Sequence, residues 1–520
     1  MRLLRYTPLV MVGMFFFVQV IMTFSSLNFI LTNLTIDDAY YYFSIAHHIA
    51  HGFLSSFDGT TLTNGYHPLW VGILTVVYWI GGSAVGTLEP IQRALLISCV
   101  LNAGSALLLI HALRRTTRND IAVIVGTAAF VANPFVLYEL LNGMETSLFI
   151  FLILLLGTVW STLISRGSSF RSYVLAGGVF GLLVLSRLDA VLYAIPLVLW
   201  LIYQRIRIKH MVIIGASAAV LVVPYAVWNL LVFHAIIPSS GVISAIMSRE
   251  SLMHSGSVYS AMREIGHFIF LNVLEAFQYT GLPIVLMLCA GFGAGALLFN
   301  RSPERTNLQV SPTMFLYITL GAGYILVILA NLLRLATRDY YFAPSAMFAA
   351  FVIGWAVDYI VQEYNVKKRL VTILVGGGVL IGILSFAWSW GTYLENRFSI
   401  SQDNLQVLRT AQWVNENVPK NAKIGAFDAG IVGWFSGHQL FNLDGLVNQE
   451  AYKALLSNTL MAYILQEHIS YVIAPADYLE KYEVRFGGLD MLRYFEPIHS
   501  VESIYKNGGP VNIYRIVGSW

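Results

Sequence analysis

Long runs of apolar residues recur up to residue 390, and they leave few choices of fold. A helix needs about 20 mostly apolar residues to cross the hydrocarbon core of a bilayer. Eleven stretches reach or approach that length: 8–30, 90–112, 121–138, 147–165, 172–187, 190–204, 211–233, 275–299, 312–333, 341–361 and 370–390. Only 11% of the 520 residues are charged, against roughly 25% in soluble domains. The prediction is a mainly α, polytopic helical membrane bundle of about 11 spans.

Basic residues between the spans predict the orientation of the bundle, because short cytoplasmic loops collect Lys and Arg. With the amino terminus in the cytoplasm, 15 of the 21 Lys and Arg residues before residue 391 fall on the inner side. The other six are Arg93, Arg187, Arg249, Arg263, Arg334 and Arg338. This orientation requires the apolar stretch 67–82 to lie in the interface between membrane and water, or to enter the membrane and return to the same side. We therefore expect a multi-pass protein of the plasma (inner) membrane.

The composition changes after residue 390, where Asp, Asn, Glu and Lys return and short elements replace the apolar runs. The predicted division is a membrane domain over 1–392, with interfacial helices in a first outer loop over about 31–85, and a soluble α/β domain over 393–520 on the outer face. In the second domain we predict a helix over 402–417, strands at 423–427, 439–443 and 471–474, and helix near 449–466.

Charge and cysteine content exclude several classes of function. The net charge is only +3, and no basic run with interleaved aromatic residues occurs, so a nucleic-acid partner is not expected. The two cysteines, Cys99 and Cys289, both lie in apolar stretches, which argues against a disulfide framework or a thiolate metal site.

The strongest local signal is an acidic pair, Asp37 and Asp38, just outside the first span. Adjacent carboxylates at a membrane surface repel each other, so one of them holds a proton, binds a cation or faces a cationic partner. The pair opens a predicted interfacial helix that ends at Gly52, with apolar residues on one stripe and Ser44 and three histidines on the other face. An alternative is that the two aspartates only cap this helix.

A metal is a second candidate ligand of this loop. His47 and His51 stand four residues apart, the spacing at which one helix offers two imidazoles to a metal ion, although histidines on an interfacial helix are commonly just polar-face residues. Asp38 has an alternative role as the ligand of a divalent cation. No other cofactor is expected.

The chain resembles the GT-C superfamily of glycosyltransferases that use polyprenyl-phosphate sugars, a group that includes protein mannosyltransferases, lipid A aminoarabinose transferases and mycobacterial arabinofuranosyltransferases. The motifs that carry the resemblance are Asp37-Asp38-Ala-Tyr-Tyr41, Gly65-Tyr-His67-Pro-Leu-Trp70, Arg93, Asn142-Gly-Met-Glu145, Leu185-Ser-Arg187-Leu-Asp189 and Thr337-Arg338-Asp-Tyr340. Asp38 stands where many members have Glu, and the second Pro of the mannosyltransferases is missing after His67. The resemblance implies substrate contacts for Tyr41, His67, Glu145, Arg187, Asp189 and Tyr340.

The charges themselves agree with a site at the outer edge of the membrane. Glu145, Arg187, Asp189, Arg334 and Arg338 are far apart in sequence, yet the orientation brings all of them to the level of the acidic pair. Ionisable groups in a membrane are costly, so their convergence on one leaflet indicates a site. The alternative is that Arg187 and Asp189 only pair with each other, and that Arg334 and Arg338 only snorkel.

A lipid-linked sugar donor fits such a site, because its phosphate stays at headgroup level while its tail stays in lipid. Arg93 and Arg338, followed by Arg334, are the predicted phosphate ligands. Asp37 is the predicted general base for the acceptor hydroxyl, with Asp38 assisting. In the soluble domain, turns at 425–430 and 442–446 either bind an acceptor glycan or are ordinary Asp-Gly turns.

The resulting hypothesis is an inverting glycosyltransferase that moves a sugar from a polyprenyl-phosphate donor to a glycan, lipid or protein acceptor on the outer face. The alternative is a secondary transporter or flippase for an amphipathic solute. Transporters place their ionisable residues near the midplane, commonly in two related halves, whereas here they lie at one edge and no halves repeat. A third alternative is an assembly factor without catalysis.

Overall fold

The computed structural model describes residues 2–164, 169–253, 263, 265–266, 311–335, 337–363, 391, 403–503 and 509–517. These residues form a helical bundle and a small C-terminal α/β domain, which confirms the predicted fold class. The predicted spans at 275–299 and 370–390 lie outside the described ranges.

The helices of the bundle follow the predicted apolar stretches closely. They are α1 Arg2–Thr23, α2 Leu27–Asn33, α3 Asp37–Ala50, α4 Pro68–Gly81, α5 Glu89–Thr116, α6 Asp120–Val131, α7 Pro134–Tyr138, α8 Thr146–Ser161, α9 Phe170–Ser186, α10 Ala194–Tyr203, α11 Ile208–Phe233, α12 Ser239–Met253, α13 Pro312–Leu333 and α14 Ala343–Glu363. Within the described ranges, five helices are long and apolar enough to cross a membrane, and α4, α8, α9 and the 188–203 segment are shorter apolar helices. The chain is a multi-pass membrane protein.

Two predicted spans are interrupted, and local sequence explains both breaks. The stretch 121–138 is bent by 60° between α6 and α7, because Asn133 caps the backbone N–H of Phe135 and Pro134 begins the second helix. The stretch 8–30 ends early at Thr23, since Ser26 accepts a hydrogen bond from Phe29 and starts α2. Side-chain caps therefore override a continuous apolar run.

The loop after the first span contains the predicted helix, but the surroundings of this helix differ from the prediction. Helix α3 covers Asp37–Ala50, and Gly52 follows it with φ +82°. Ser44, expected on a water-facing side, is buried, as is every residue from Ala39 to Ala46. The C-terminal domain contacts this helix at Asp37, Tyr41 and Phe43, whereas His51, on the face that the sequence pattern assigned to water, is exposed.

The C-terminal domain begins with α15, which covers 403–417, and contains one sheet. Its strands are β1 Lys423–Ala426, β2 Leu440–Asn442, β3 Ile469–Pro475, β4 Phe495–Val501 and β5 Val511–Ile516, and its helices are α16 Gly430–Phe435, α17 Gln449–Leu456, α18 Leu460–Gln466, α19 Tyr478–Lys481 and α20 Glu483–Phe486. The strand order is β2-β1-β3-β5-β4, in which β1 pairs in parallel with β2 and β3, while β5 and β4 are antiparallel. The first three strands were predicted from sequence.

The arrangement of the sheet determines what the domain presents to the bundle. The carboxyl ends of parallel strands lie at one edge, and loops at that edge commonly carry ligand-binding groups. Here that edge packs against α3: Trp434 of α16 is fully buried, donates a hydrogen bond to Thr87 O at 3.1 Å and contacts Phe43 edge-on. One continuous apolar core includes residues of both domains.

Candidate active site

The amino-terminal end of α3 lies directly against the C-terminal domain. Both carboxylate oxygens of Asp37 accept hydrogen bonds from backbone N–H groups: Oδ1 from Ile431 at 2.7 Å and Oδ2 from Gly430 at 3.0 Å. Desolvation and the nearby Asp428 carboxylate raise the pKa of Asp37 well above its usual range, although the two hydrogen bonds oppose this rise. Asp37 is thus a contact between the two domains.

Asp38 differs sharply from its neighbour in the chain. Its half-buried carboxylate accepts no hydrogen bond from any of the described residues. Desolvation raises the pKa of Asp38, and the positive charge of Arg338 partly opposes that rise. Arg338 is exposed, and within the described ranges no direct ion pair joins it to Asp38. The carboxylate and the guanidinium therefore interact electrostatically, without direct contact among the described residues.

Two aspartates of the C-terminal domain complete this group. Asp428 follows β1 with a left-handed backbone, φ +47°, and its Oδ2 accepts a hydrogen bond from the Tyr478 hydroxyl at 3.1 Å. Asp444 follows β2, and its two oxygens accept from the backbone N–H groups of Asp428 at 3.3 Å and Leu446 at 3.0 Å. Desolvation and Asp428 raise the pKa of Asp444 to about 7. Sequence analysis identified both turns but assigned neither aspartate to the site.

Tyr41 and Tyr340 lie close to the acidic pair. The Tyr41 hydroxyl accepts hydrogen bonds from Ala429 N at 2.9 Å and Asn442 Nδ2 at 3.3 Å. Tyr340, in the turn after Arg338, is buried and packs edge-on against Tyr341. The tyrosines therefore have protein partners, and substrate contact at either one remains a prediction.

A second polar cluster lies between α8, α9 and α13. Arg187 donates to both Asp189 oxygens, at 3.2 and 2.9 Å, and its Nη1 is 3.6 Å from Glu145 Oε1. Asn331 also donates to Asp189, at 3.0 Å. The guanidinium lies 4.1 Å from the centre of the Tyr341 ring. Arg187 and Asp189 thus pair with each other, which was one of the two alternatives from sequence.

His67 extends this second cluster toward the first outer loop. Its Nε2 is 3.5 Å from Glu145 Oε1, and desolvation lowers the pKa of His67, which keeps the ring neutral at pH 7. Among the described residues, His67 Nδ1 and both Glu145 carboxylate oxygens are buried without a hydrogen-bond partner. Unpaired buried polar atoms are costly, and a substrate hydroxyl would satisfy them.

The other two predicted phosphate ligands have partners elsewhere. Arg93 donates to the carbonyl of Gly82 and pairs with Glu89 at 3.3 Å. Arg334 donates to the carbonyl of Gly241. No contact in the described part of the chain joins either arginine to the acidic pair. The distribution of Lys and Arg between the two membrane faces predicts that all three arginines lie at one level of the membrane. In the structure, only Arg338 among these three interacts electrostatically with Asp38.

The predicted metal ligands His47 and His51 have hydrogen-bond partners within the protein. The rings of His47 and His51 are 4.2 Å apart, with His47 Nδ1 hydrogen-bonded to the Ser83 hydroxyl at 2.8 Å and His51 Nδ1 to the His47 carbonyl at 2.8 Å. No group of three or more His, Cys, Asp or Glu side chains in the described ranges is placed to hold a metal ion. Desolvation lowers the pKa of His47 to about 4. A metal at these residues, or at Asp38, stays a prediction.

Solved structures share this architecture across almost the whole chain. ArnT from Cupriavidus metallidurans bound to undecaprenyl phosphate is 11% identical, with a TM-score of 0.56 and 98% of each chain covered; its apo state gives a TM-score of 0.55 and 97% of each chain. The oligosaccharyltransferase of Archaeoglobus fulgidus, in complex with Zn and sulfate, is 12% identical with a TM-score of 0.51, over 96% of this chain and 72% of that one. This chain has the GT-C fold.

A family model matches the C-terminal part of the sequence. Residues 397–514 match a domain of unknown function, DUF8728, and these residues include both Asp428 and Asp444. No curated protein matches the sequence. The predicted resemblance to GT-C proteins is therefore confirmed at the level of the fold.

Proposed function

We propose that the chain is an inverting glycosyltransferase that moves a sugar from a polyprenyl-phosphate donor to an acceptor hydroxyl on the non-cytoplasmic face. One observation carries the proposal: the charges of Asp38 and Arg338 interact, and no hydrogen bond or ion pair among the described residues occupies Asp38. The reaction needs a base and a phosphate ligand separated by the sugar. The GT-C fold of the chain supports the same reaction class.

Asp38 would act as the general base. The acceptor oxygen attacks the anomeric carbon, its proton passes to Asp38, and the bond from the anomeric carbon to the phosphate oxygen breaks. The electron pair leaves with polyprenyl phosphate, and attack opposite the leaving group inverts the configuration. A base with a raised pKa is a better proton acceptor as long as it is ionised, and the pKa of Asp38 is raised.

Arg338 would bind the donor phosphate. Guanidinium groups bind phosphate oxygens in pairs, and their charge stabilises the negative charge that develops on the leaving group. Arg338 is exposed and has no carboxylate in direct contact among the described residues, so it is free to bind a phosphate. Arg93 and Arg334 are assigned a smaller role because each already binds a backbone carbonyl.

An apolar groove beside His67 supports a lipid-linked donor. It has a volume of about 490 Å³ and is lined by Pro68, Leu69, Gly72, Ile73, Val76, Val77, Leu185 and Tyr225. A prenyl chain needs an apolar surface close to the place where its phosphate is held. The related ArnT structure contains undecaprenyl phosphate, which supports the same class of donor for this chain. Glu145 and His67 have buried atoms without hydrogen-bond partners among the described residues, and we assign them to sugar hydroxyls.

The test is transfer by the purified full chain in lipid nanodiscs. Radiolabelled polyprenyl-phosphate sugars are supplied one at a time with a cell-envelope extract as acceptor, and label outside the donor is counted. We expect one donor to be consumed, and Asp38→Asn to lower the rate about 10²–10⁴-fold. Asp490→Asn is the matched control, because Asp490 is exposed and lies in the C-terminal domain.

Undiminished transfer by Asp38→Asn would remove the proposed base. If no donor is consumed and the protein instead carries a labelled lipid across the nanodisc or vesicle membrane, the transporter alternative is correct. The orientation predicted from the sequence puts the ionisable residues at one edge of the bundle, which favours the transferase.

A further inference from the structure

The two aspartates at the start of α3 lie in different environments, because Asp37 is fixed by hydrogen bonds and Asp38, among the described residues, is not. Its two oxygens accept hydrogen bonds from consecutive backbone N–H groups, those of Gly430 and Ile431. These groups open α16 and have no partner within that helix. A carboxylate that receives two backbone hydrogen bonds has fewer lone pairs and less freedom of rotation to accept a proton from a substrate.

Two further contacts fasten the same loop to α3. The Tyr41 hydroxyl, one helical turn beyond Asp37, accepts from the backbone N–H of Ala429 at 2.9 Å. Gly430 approaches the helix so closely that a Cβ atom there would lie 2.1 Å from the Asp37 carbonyl oxygen and 2.8 Å from its Oδ2. The loop 427–431 is thus held at three consecutive residues, and the close approach requires glycine at 430.

The residue that this loop presents to the site is Asp428. Its backbone is left-handed, φ +47°, a conformation that aspartate and asparagine adopt more readily than other residues with a side chain. The side chain is exposed, and its charge interacts with those of both Asp38 and Arg338. A shift of the loop would move Asp428 away from the reacting groups.

We propose that Asp37 is a positioning residue: its carboxylate holds the loop 427–431 of the C-terminal domain against α3, and this keeps Asp428 near Asp38 and Arg338. This inference rests on the proposed function. It divides the acidic pair into one residue that reacts and one that joins the two domains.

The kinetic test compares Asp37→Asn with Asp37→Ala in the full chain. Asparagine keeps one side-chain oxygen and is as good a helix cap as aspartate, whereas alanine has none. We expect Asp37→Asn to retain transfer within about tenfold of wild type and Asp37→Ala to lose about 100-fold, because a displacement of 1 Å in a site costs that much. If Asp37 were the general base, both variants would lose transfer activity equally, and that result would overturn the proposal.

A substitution on the other side of the contact tests the same geometry. Gly430→Ala introduces a Cβ that the Asp37 backbone cannot accommodate, and we expect it to reproduce the loss of Asp37→Ala. Gly509→Ala is the matched control, because a Cβ at Gly509 meets nothing within 4 Å in the same domain. Wild-type transfer by Gly430→Ala contradicts the proposal.

Hydrogen exchange of the backbone amides separates this inference from the proposed function. We expect the Gly430 and Ile431 amides to exchange at least tenfold faster in Asp37→Ala than in wild type, and to be unchanged in Asp38→Asn. Unchanged exchange in Asp37→Ala means that Asp37 does not hold the loop. If wild type consumes no donor, the proposed function fails, while exchange still decides whether Asp37 joins the domains.

Discussion

Two groups of charged side chains lie at the same end of the bundle, and they differ in how their charges meet. The paired cluster consists of Glu145, Arg187, Asp189 and Asn331, and its arginine is within 4 Å of two carboxylates. The open cluster consists of Asp38, Arg338, Asp428 and Asp444, and no ion pair among the described residues joins its arginine to a carboxylate.

The difference indicates separate roles for the two clusters. Charges in direct contact compensate each other's loss of hydration, so the paired cluster holds α8, α9 and α13 together. The carboxylates of the open cluster have raised pKa values, and the exposed Asp428 and Arg338 are accessible to a substrate, which is typical of functional sites. The paired cluster still borders the site, because Glu145 also interacts with Asp38.

The largest expected effect is a difference in protein stability between a variant of the paired cluster and a variant of the open cluster. Arg187→Met leaves Glu145, which is 1% exposed, and Asp189 without their cation, and losing one partner of a buried pair costs about 3–5 kcal/mol. Arg338→Met should unfold near the wild-type temperature yet lose transfer about 100-fold or more. Thermal unfolding of both variants in detergent, followed by tryptophan fluorescence, is the measurement. Equal destabilisation by the two variants would show that the paired cluster and the open cluster do not have separate roles.

An intermediate effect is expected in the apolar groove beside the paired cluster. Gly72 faces open space, so Gly72→Trp would fill part of the groove and raise the KM for a long-chain prenyl donor roughly tenfold, the equivalent of about 1.4 kcal/mol. A donor with a single isoprene unit should be affected much less. Gly13→Trp is the control, because Gly13 is also open but lies on α1. An equal KM for wild type and Gly72→Trp would exclude the groove from donor binding.

The smallest expected effect is a shift in pH dependence within the open cluster. The base must be ionised, so transfer falls as the pH decreases through the pKa of Asp38, which desolvation and then Asp428 raise. Asp428→Asn removes a negative charge and should move the acidic limb of the kcat/KM profile to lower pH. Asparagine tolerates the left-handed backbone at this position. A limb that stays in place or moves to higher pH would show that Asp428 does not act on the base.

Local sequence predicted the elements that carry the site. The bounds of α3, the turn at Gly52 and the first three strands follow from caps, apolar periodicity and strand patterns, all of which act over a few residues. The same reasoning did not exclude Arg93 or Arg334 as phosphate ligands. The distribution of charges between the membrane faces indicates the depth of a residue in the membrane, but not its position around the bundle. It also did not join Asp428 and Asp444 to Asp38, although their positions after parallel strands were a usable signal.

By itself the sequence determined that the chain is a membrane-embedded helical bundle with a soluble α/β domain, since hydropathy and capping are properties of neighbouring residues. Only the tertiary structure decided that Asp37 meets Gly430, almost 400 residues away, and that Arg338 alone of the predicted phosphate ligands faces Asp38. Contacts between distant segments depend on how buried surfaces of the two domains fit together. No periodicity within either segment encodes that fit.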